Sequence, residues 1–251
     1  KGLGDSLKLL PASSDKDEGF RIAGEISRLH QQKEVSYADI AVLYRTNAQS
    51  RSFEDAFRMQ GIPYRIYGGL SFYQRKEVKD LLSYLRLIAN PNDEEAFKRI
   101  INYPRRGIRD ITVAKLQTAA VAHEKSPFLV AENPETYGLK FSTATARRLD
   151  AFCSNINYYA SLVAQGISVH ELAKLIVFEE GIHKDLEDDD CQGAAKIQNI
   201  EELIGAMAEM EADYLEEHGV EHLTLTDYLS NVSLLTDADQ RDDEQPRVAL
   251  R

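Results

Sequence analysis

Ile40-Ala41-Val42-Leu43-Tyr44 is a continuous apolar run that ends at once in Arg45-Thr46-Asn47. A short run with β-branched residues, bounded by polar ones, reads as a buried strand of a parallel sheet. Upstream, Phe20, Ile22, Ala23, Ile26 and Leu29 recur at helical spacing after the polar stretch 13–18. Before that, Leu7 to Leu10 is a brief apolar run closed by Pro11, which reads as a strand. Downstream, Phe53, Ala56, Phe57 and Met59 mark a helix that Gly61 stops. Pro63-Tyr64-Arg65-Ile66-Tyr67 then reads as a third strand, closed by Gly68-Gly69. Strand, helix, strand, helix, strand is the order of an α/β layer with a parallel sheet.

After Gly69 the period is helical almost throughout. Val78, Leu81, Leu82, Leu85 and Ile88 mark a helix that ends before Pro91. Phe97, Ile100 and Ile101 mark a short one, and Ile111, Ala114, Leu116 and Ala119 another. Pro127, Pro134 and Gly138 punctuate a loop, after which helices are expected at 142–165, 168–180, 194–217 and 224–235. Asp237 to Gln245 reads as an acidic linker, and Arg247 to Arg251 returns to a strand pattern. The predicted fold class is therefore α/β plus all-α, with a helical domain inserted into a partial parallel α/β domain. The expected boundaries are 1–138, 139–245 and a return strand at 246–251.

The 251 residues have 43% hydrophobic and 28% charged residues, an ordinary globular balance. No apolar run approaches the roughly 20 residues of a membrane span. The chain starts at Lys1 without Met and reads as a piece of a longer protein. Two cysteines, Cys153 and Cys191, exclude a disulfide scaffold and a cysteine-rich zinc site, and a reducing cytoplasmic compartment is the natural reading. The net charge of −11 is unevenly spread. Residues 1–138 carry 21 Lys+Arg against 18 Asp+Glu, while residues 139–251 carry 9 against 23. The first half could meet a polyanion; the second should repel one unless its basic groups are clustered.

The tip of the 40–44 run is the chemically suggestive place. Ligands of open α/β sheets bind outside the carboxyl ends of the strands. There an aromatic ring can stack on a base, and a guanidinium fork can meet phosphate oxygens. Tyr44 and Arg45 fit that description, although on spacing alone the plainer reading is that Tyr44 is a strand residue and Arg45 the partner of a surface carboxylate.

Tyr44 to Arg51 resembles motif IV of the UvrD/PcrA/Rep family of superfamily 1 DNA helicases. The likeness continues through Pro63 to Gly69, Phe72-Tyr73-Gln74-Arg75-Lys76-Glu77-Val78-Lys79-Asp80, Tyr84 to Leu87, Asn90 and Arg106-Gly107-Ile108. It is dense over 37–112 and loose beyond. The resemblance implies two RecA-like motor domains, 1A and 2A, with helical insertions 1B and 2B. This chain would hold the first part of 2A, then 2B, then the strand that follows. The nucleotide-binding P-loop, the magnesium-binding Asp-Glu strand and motifs V and VI are not within it. ATP and Mg²⁺ would serve the full-length enzyme, with none held tightly by this portion. By the same resemblance Tyr44 packs on adenine, and Arg45 is an arginine finger on the γ-phosphate. Gln49 and Arg51 read as cap and support for the helix that follows.

Further candidates lie on the nucleic-acid side. Phe72, Tyr73 and Arg75 combine aromatic and basic character, which suits single-stranded DNA; the two rings could equally be core, with Arg75 paired to Glu77 or Asp80. Arg105-Arg106-Gly107-Ile108-Arg109-Asp110-Ile111-Thr112 joins two helices. A glycine turn before a helix start offers amides to phosphate, so Arg105, Arg106, Gly107 and Thr112 are candidate DNA contacts. The family's Gly-Ile-Gly is here Gly107-Ile108-Arg109, which trades a close backbone approach for a charge. Lys184, beside Gly181, falls where the family's 2B meets duplex, although Asp185 to Asp190 make the surroundings acidic and a solvated helix end is the plainer reading. Glu187 to Asp190 is not a calcium loop, since Asp190 stands where glycine is needed. His218 and His222 lack a third ligand, and no metal site is expected.

The implied activity is ATP-dependent 3′–5′ DNA helicase or translocase work, with the portion inactive alone. The implied partners are single-stranded DNA and its junction with duplex, the 1A motor domain, and repair or replication proteins, in a cytoplasmic, nucleoid-associated setting without a membrane. The acidic second half suggests an alternative: 2B as a regulatory protein-docking module. A nuclease-fused relative is a weaker third reading.

Overall fold

The computed structural model describes residues 6–67, 69–219, 222–237 and 246–251. The chain divides into two compact units, Lys1–Arg75 with Leu234–Arg251, and Lys76–Ser233. The division expected at 138/139 does not coincide with this boundary, and the reason is packing in the second unit. Phe97 and Phe128 both meet Phe152, at 6.0 and 6.4 Å between ring centroids, so helices before and after residue 138 share one core.

The first unit is a small sheet covered by two helices. Helix α1, Asp15–Lys33, starts where Ser14 accepts from the Asp17 amide, with Asp15, Asp17 and Glu18 complementing the helix dipole. Helix α2, Ser50–Met59, crosses it closely. At Gly19 a Cβ would lie 2.4 Å from the Ser52 carbonyl, so only glycine allows the two backbones to approach this far. Strands β1 (Ala41–Val42), β2 (Tyr64–Ile66) and β3 (Val248–Leu250) pair in the order β1-β3-β2, all parallel. Ala41 faces Ala249 on one side of β3, and Arg65 faces Ala249 on the other. The last strand in the chain is thus the middle of the sheet. Val248 and Leu250 point into the core with Ala23, Ile26, Phe53, Phe57 and Ile62.

Two strand expectations need correction. Leu7 to Leu10 forms no strand, and Leu7 and Leu9 are fully exposed. The 40–44 run is not buried on both faces. Val42 and Tyr44 pack on the core, whereas Ala41 and Leu43 face solvent, so the run alternates like a half-buried strand. Gly68 and residues 238–245, the expected turn glycine and most of the expected linker, lie outside the described residues.

The second unit is all-helical: α3 Lys76–Ala89, α4 Glu94–Ile100, α5 Asp110–His123, α6 Pro127–Glu132, α7 Thr143–Ala164, α8 Val169–Glu179, α9 Ile182–Glu187, α10 Gly193–His218 and α11 Leu225–Asp237, the last of which crosses the unit boundary at 233/234. The loop expected around Pro127 is instead α6. Proline is tolerated in the first turn because that amide needs no partner, and the Ser126 side chain accepts from Leu129 to cap the start. Cys153 sits in the helical core, where burial pushes its thiol up to about 12.

Candidate functional site

At the carboxyl edge of the sheet, the amide of Tyr44 donates to the Arg251 carbonyl at 3.0 Å, which continues the β1–β3 ladder for one step. The chain then turns. Gln49 Oε1 accepts from the amides of Arg45 and Thr46, at 2.9 and 3.1 Å, fixing the turn that leads into α2. This is the capping role expected of Gln49, and Arg51 likewise supports the helix through Asp55 at 3.1 Å. The Tyr44 ring lies near-parallel to Phe53, 29° apart with centroids at 6.4 Å, and is half-buried. Burial raises its hydroxyl pKa, the nearby Glu54 adds to the rise, and Arg75 opposes it. Arg45 is exposed, and no carboxylate among the described residues pairs with it. The strand tip therefore carries an anchored aromatic ring and, at the next residue, an exposed guanidinium without a carboxylate partner among the described residues.

Behind this turn lies a polar hub that sequence reasoning missed. Glu54 is fully buried and accepts from Ser50 Oγ at 2.8 Å, Ser71 Oγ at 2.5 Å, the Phe72 amide at 3.0 Å and Arg58 at 3.1 Å. Its burial raises the carboxyl pKa, and the four donors oppose the rise. The 50/54/58 spacing, one helical face, was the available signal. Phe72 and Tyr73 are core, at 0% and 3% exposure, so they are not stacking platforms for bases. Arg75 is also buried, and its guanidinium bonds to Asn47 O, Ser50 Oγ and Leu70 O. The expected backbone contact from Arg75 is not how this side chain is used.

In the second unit the 105–112 stretch separates into supports and surface. Arg106 turns inward, donating to the carbonyls of Ile100 and Tyr103 at 2.8 and 2.9 Å and pairing with Tyr84 and Glu180. Glu180 also accepts from Asn155 at 2.8 Å and Tyr159 at 3.1 Å. Burial works against the Arg106 charge, yet Tyr84 and Glu180 outweigh it and its pKa rises. Thr112 is buried in the first turn of α5. Neither side chain is free for a direct contact. Arg105 and Arg109 are exposed. Gly107 has φ +71°, a conformation that favours glycine, and its carbonyl accepts from Arg148 at 3.0 Å. Arg148, itself exposed, is a basic group at this loop that the local motif did not reveal. Lys184 is exposed on α9, beside a stacked Phe178–His183 pair.

The largely buried Arg106–Glu180 pair, with side chains 16% and 3% exposed, gives a stability prediction. Arg106→Met should cost about 3–5 kcal/mol, because Glu180 is left charged and under-partnered. Joint replacement with Glu180→Met should recover part of that loss. Urea denaturation of the chain measures both, and an Arg106→Met variant as stable as wild type would rule out a stabilising role for the Arg106–Glu180 pair.

A small three-stranded parallel sheet and a set of helices in one chain is consistent with a helicase C-terminal domain. The family model described as UvrD-like helicase C-terminal domain matches residues 1–251, and the chain belongs to that family. Among curated proteins it is similar to the ATP-dependent DNA helicase PcrA of Staphylococcus aureus, 34% identical over 247 residues that make up 96% of this chain and 32% of that protein. The PcrA of Staphylococcus epidermidis is 33% identical over 243 residues, 95% of this chain and 32% of its own length. The chain thus spans about a third of the relatives it matches. Among the described residues, no helix is long and apolar enough to cross a membrane.

Proposed function

We propose that the chain is the 2A and 2B portion of an ATP-dependent DNA helicase that moves 3′ to 5′ on single-stranded DNA. The observation that carries the reading is the Tyr44–Arg45 pair, with a ring anchored on Phe53 and an exposed guanidinium that pairs with no carboxylate among the described residues, at the carboxyl edge of a parallel sheet. In this reading Tyr44 packs against adenine, and Arg45 reaches the γ-phosphate when the 1A motor domain closes on it. Among the described residues no group of three His, Cys, Asp or Glu side chains converges as metal ligands. In this reading Mg²⁺, which would neutralise phosphate charge, is held by the Asp-Glu strand of the full-length enzyme's other motor domain. The portion alone hydrolyses no ATP and unwinds no DNA, since the P-loop lysine and the general-base carboxylate belong to 1A.

The exposed Arg105, Arg109 and Arg148 around Gly107, with Lys184, are the proposed contacts to the DNA backbone. Arg106 and Thr112 hold that loop from beneath. The similarity to proteins named ATP-dependent DNA helicases supports the assignment.

The test uses the full-length enzyme containing this chain. Tyr44→Ala should raise KM for ATP by roughly 3- to 10-fold, the size of one lost aromatic stack. Affinity for single-stranded DNA should stay as in wild type. An unchanged KM would remove Tyr44 from the adenine site.

A further inference from the structure

We propose that Arg75 is a positioning residue for the nucleotide-facing turn 44–49, acting through Ser50 and Asn47. The inference rests on reading Tyr44 and Arg45 as nucleotide contacts. Arg75 follows Phe72–Gln74, a short turn well separated in sequence from Arg45. Arg75 is 7% exposed as a residue, which leaves little of it open to a ligand arriving from solvent. What it touches is informative. Nη1 donates to the Asn47 carbonyl at 2.5 Å, and Nη2 donates to Ser50 Oγ at 3.0 Å and Leu70 O at 3.4 Å. The guanidinium carbon lies 5.4 Å from the centre of the Phe72 ring, which braces it. Asn47 is two residues beyond Arg45, and Ser50 opens α2.

The proton count at Ser50 explains why an arginine is needed. A serine hydroxyl has one proton to give. Ser50 Oγ lies within reach of two acceptors, Asn47 O at 2.9 Å and Glu54 Oε1 at 2.8 Å. Arg75 supplies Asn47 O itself and also donates to the Ser50 oxygen, which frees the Ser50 proton for Glu54. Glu54 in turn holds Ser71 and the Phe72 amide, the segment that delivers Arg75. The turn, the start of α2 and the 70–75 segment thus form one closed hydrogen-bond circuit. A lysine keeps the charge but lacks the planar fork that spans two acceptors. Loosening this circuit would let the turn carrying Tyr44 and Arg45 shift, and displacement of a reacting group by about 1 Å can cost on the order of 10²-fold in rate.

The experiment compares Arg75→Gln, Arg75→Lys and Ser50→Ala in the full-length enzyme. It measures kcat and KM for ATP at saturating oligo-dT, the Kd of fluorescent oligo-dT without nucleotide, and the thermal midpoint. Arg75→Gln should lower kcat by on the order of 10²-fold with oligo-dT affinity unchanged. Arg75→Lys should recover part of kcat, and Ser50→Ala should move kcat in the same direction by less. Should Arg75→Gln fail to fold, Ser50→Ala decides. Weakened oligo-dT binding with normal ATP kinetics would overturn the proposal and make Arg75 a DNA contact. Wild-type kcat in the folded variants would also overturn it. Normal hydrolysis by Arg45→Ala would instead remove the nucleotide role of the turn itself; a defective Arg45→Ala beside a normal Arg75→Gln would remove only the role of Arg75.

Discussion

Arg45→Ala in the full-length enzyme should lower ATP turnover by about 10³-fold, the lower end of what an arginine finger supplies. The transferring phosphoryl group spreads charge over its oxygens, and a cation brought against it acts where the charge develops. Arg45 suits this because nothing among the described residues neutralises its side chain. Its structural bond to Gln49 runs through the backbone amide, which alanine keeps. The thermal midpoint and oligo-dT affinity should therefore stay at wild-type values, and loss of turnover cannot be blamed on misfolding. Arg45→Lys should restore only part of the rate, since a point charge does not reproduce the fork. An alanine variant with normal steady-state kcat would end the assignment.

The second large effect concerns stability. Leu250 is 0% exposed in the middle strand, paired with Val42 on one side and Ile66 on the other. Leu250→Asp places a carboxylate in the apolar cluster of Phe53, Phe57 and Ile62. The cost should exceed about 4 kcal/mol, beyond the usual range for single substitutions. The sheet should lose protection as a unit, seen as rapid hydrogen exchange at the amides that enter or leave β3, such as those of Tyr44 and Tyr67. Ala249→Ser is the control. Ala249 lies on the opposite, partly exposed face, so its replacement should leave exchange nearly unchanged. Retained protection in Leu250→Asp would mean that β3 does not organise the sheet.

The helices were legible because apolar residues at a period near 3.6 report a buried face directly. Val78, Leu81, Leu82, Leu85 and Ile88 of α3 are all buried. The return strand was legible as a pattern, yet its place between β1 and β2 was not, because no local signal states which strands become neighbours. The 40–44 run misled in one respect: composition gave a strand but not which face was covered, and Leu43 is 76% exposed. At the site, Tyr44 and Arg45 could be picked out by the rule that ligands gather at strand ends. Arg75 and Arg106 looked equally apt for a polyanion, but a guanidinium serves buried carbonyls and carboxylates as readily as phosphate. Only the positions of Asn47, Ser50, Tyr84 and Glu180 decide between these uses. The break read at Pro134 to Gly138 is local punctuation, which says nothing of the aromatic packing on Phe152 across it.

The β1-β3-β2 order also sets a timetable for the newborn chain. Ala41–Val42 and Tyr64–Ile66 emerge from the ribosome without the strand that joins them. At about 5–20 residues per second, roughly 10–40 s pass before Val248–Leu250 is made. Through that interval two strand edges stand open to stray pairing. The helical stretch must therefore be delivered, and its ends brought back together, before the first unit can close, which makes this sheet the late step of the unit's folding.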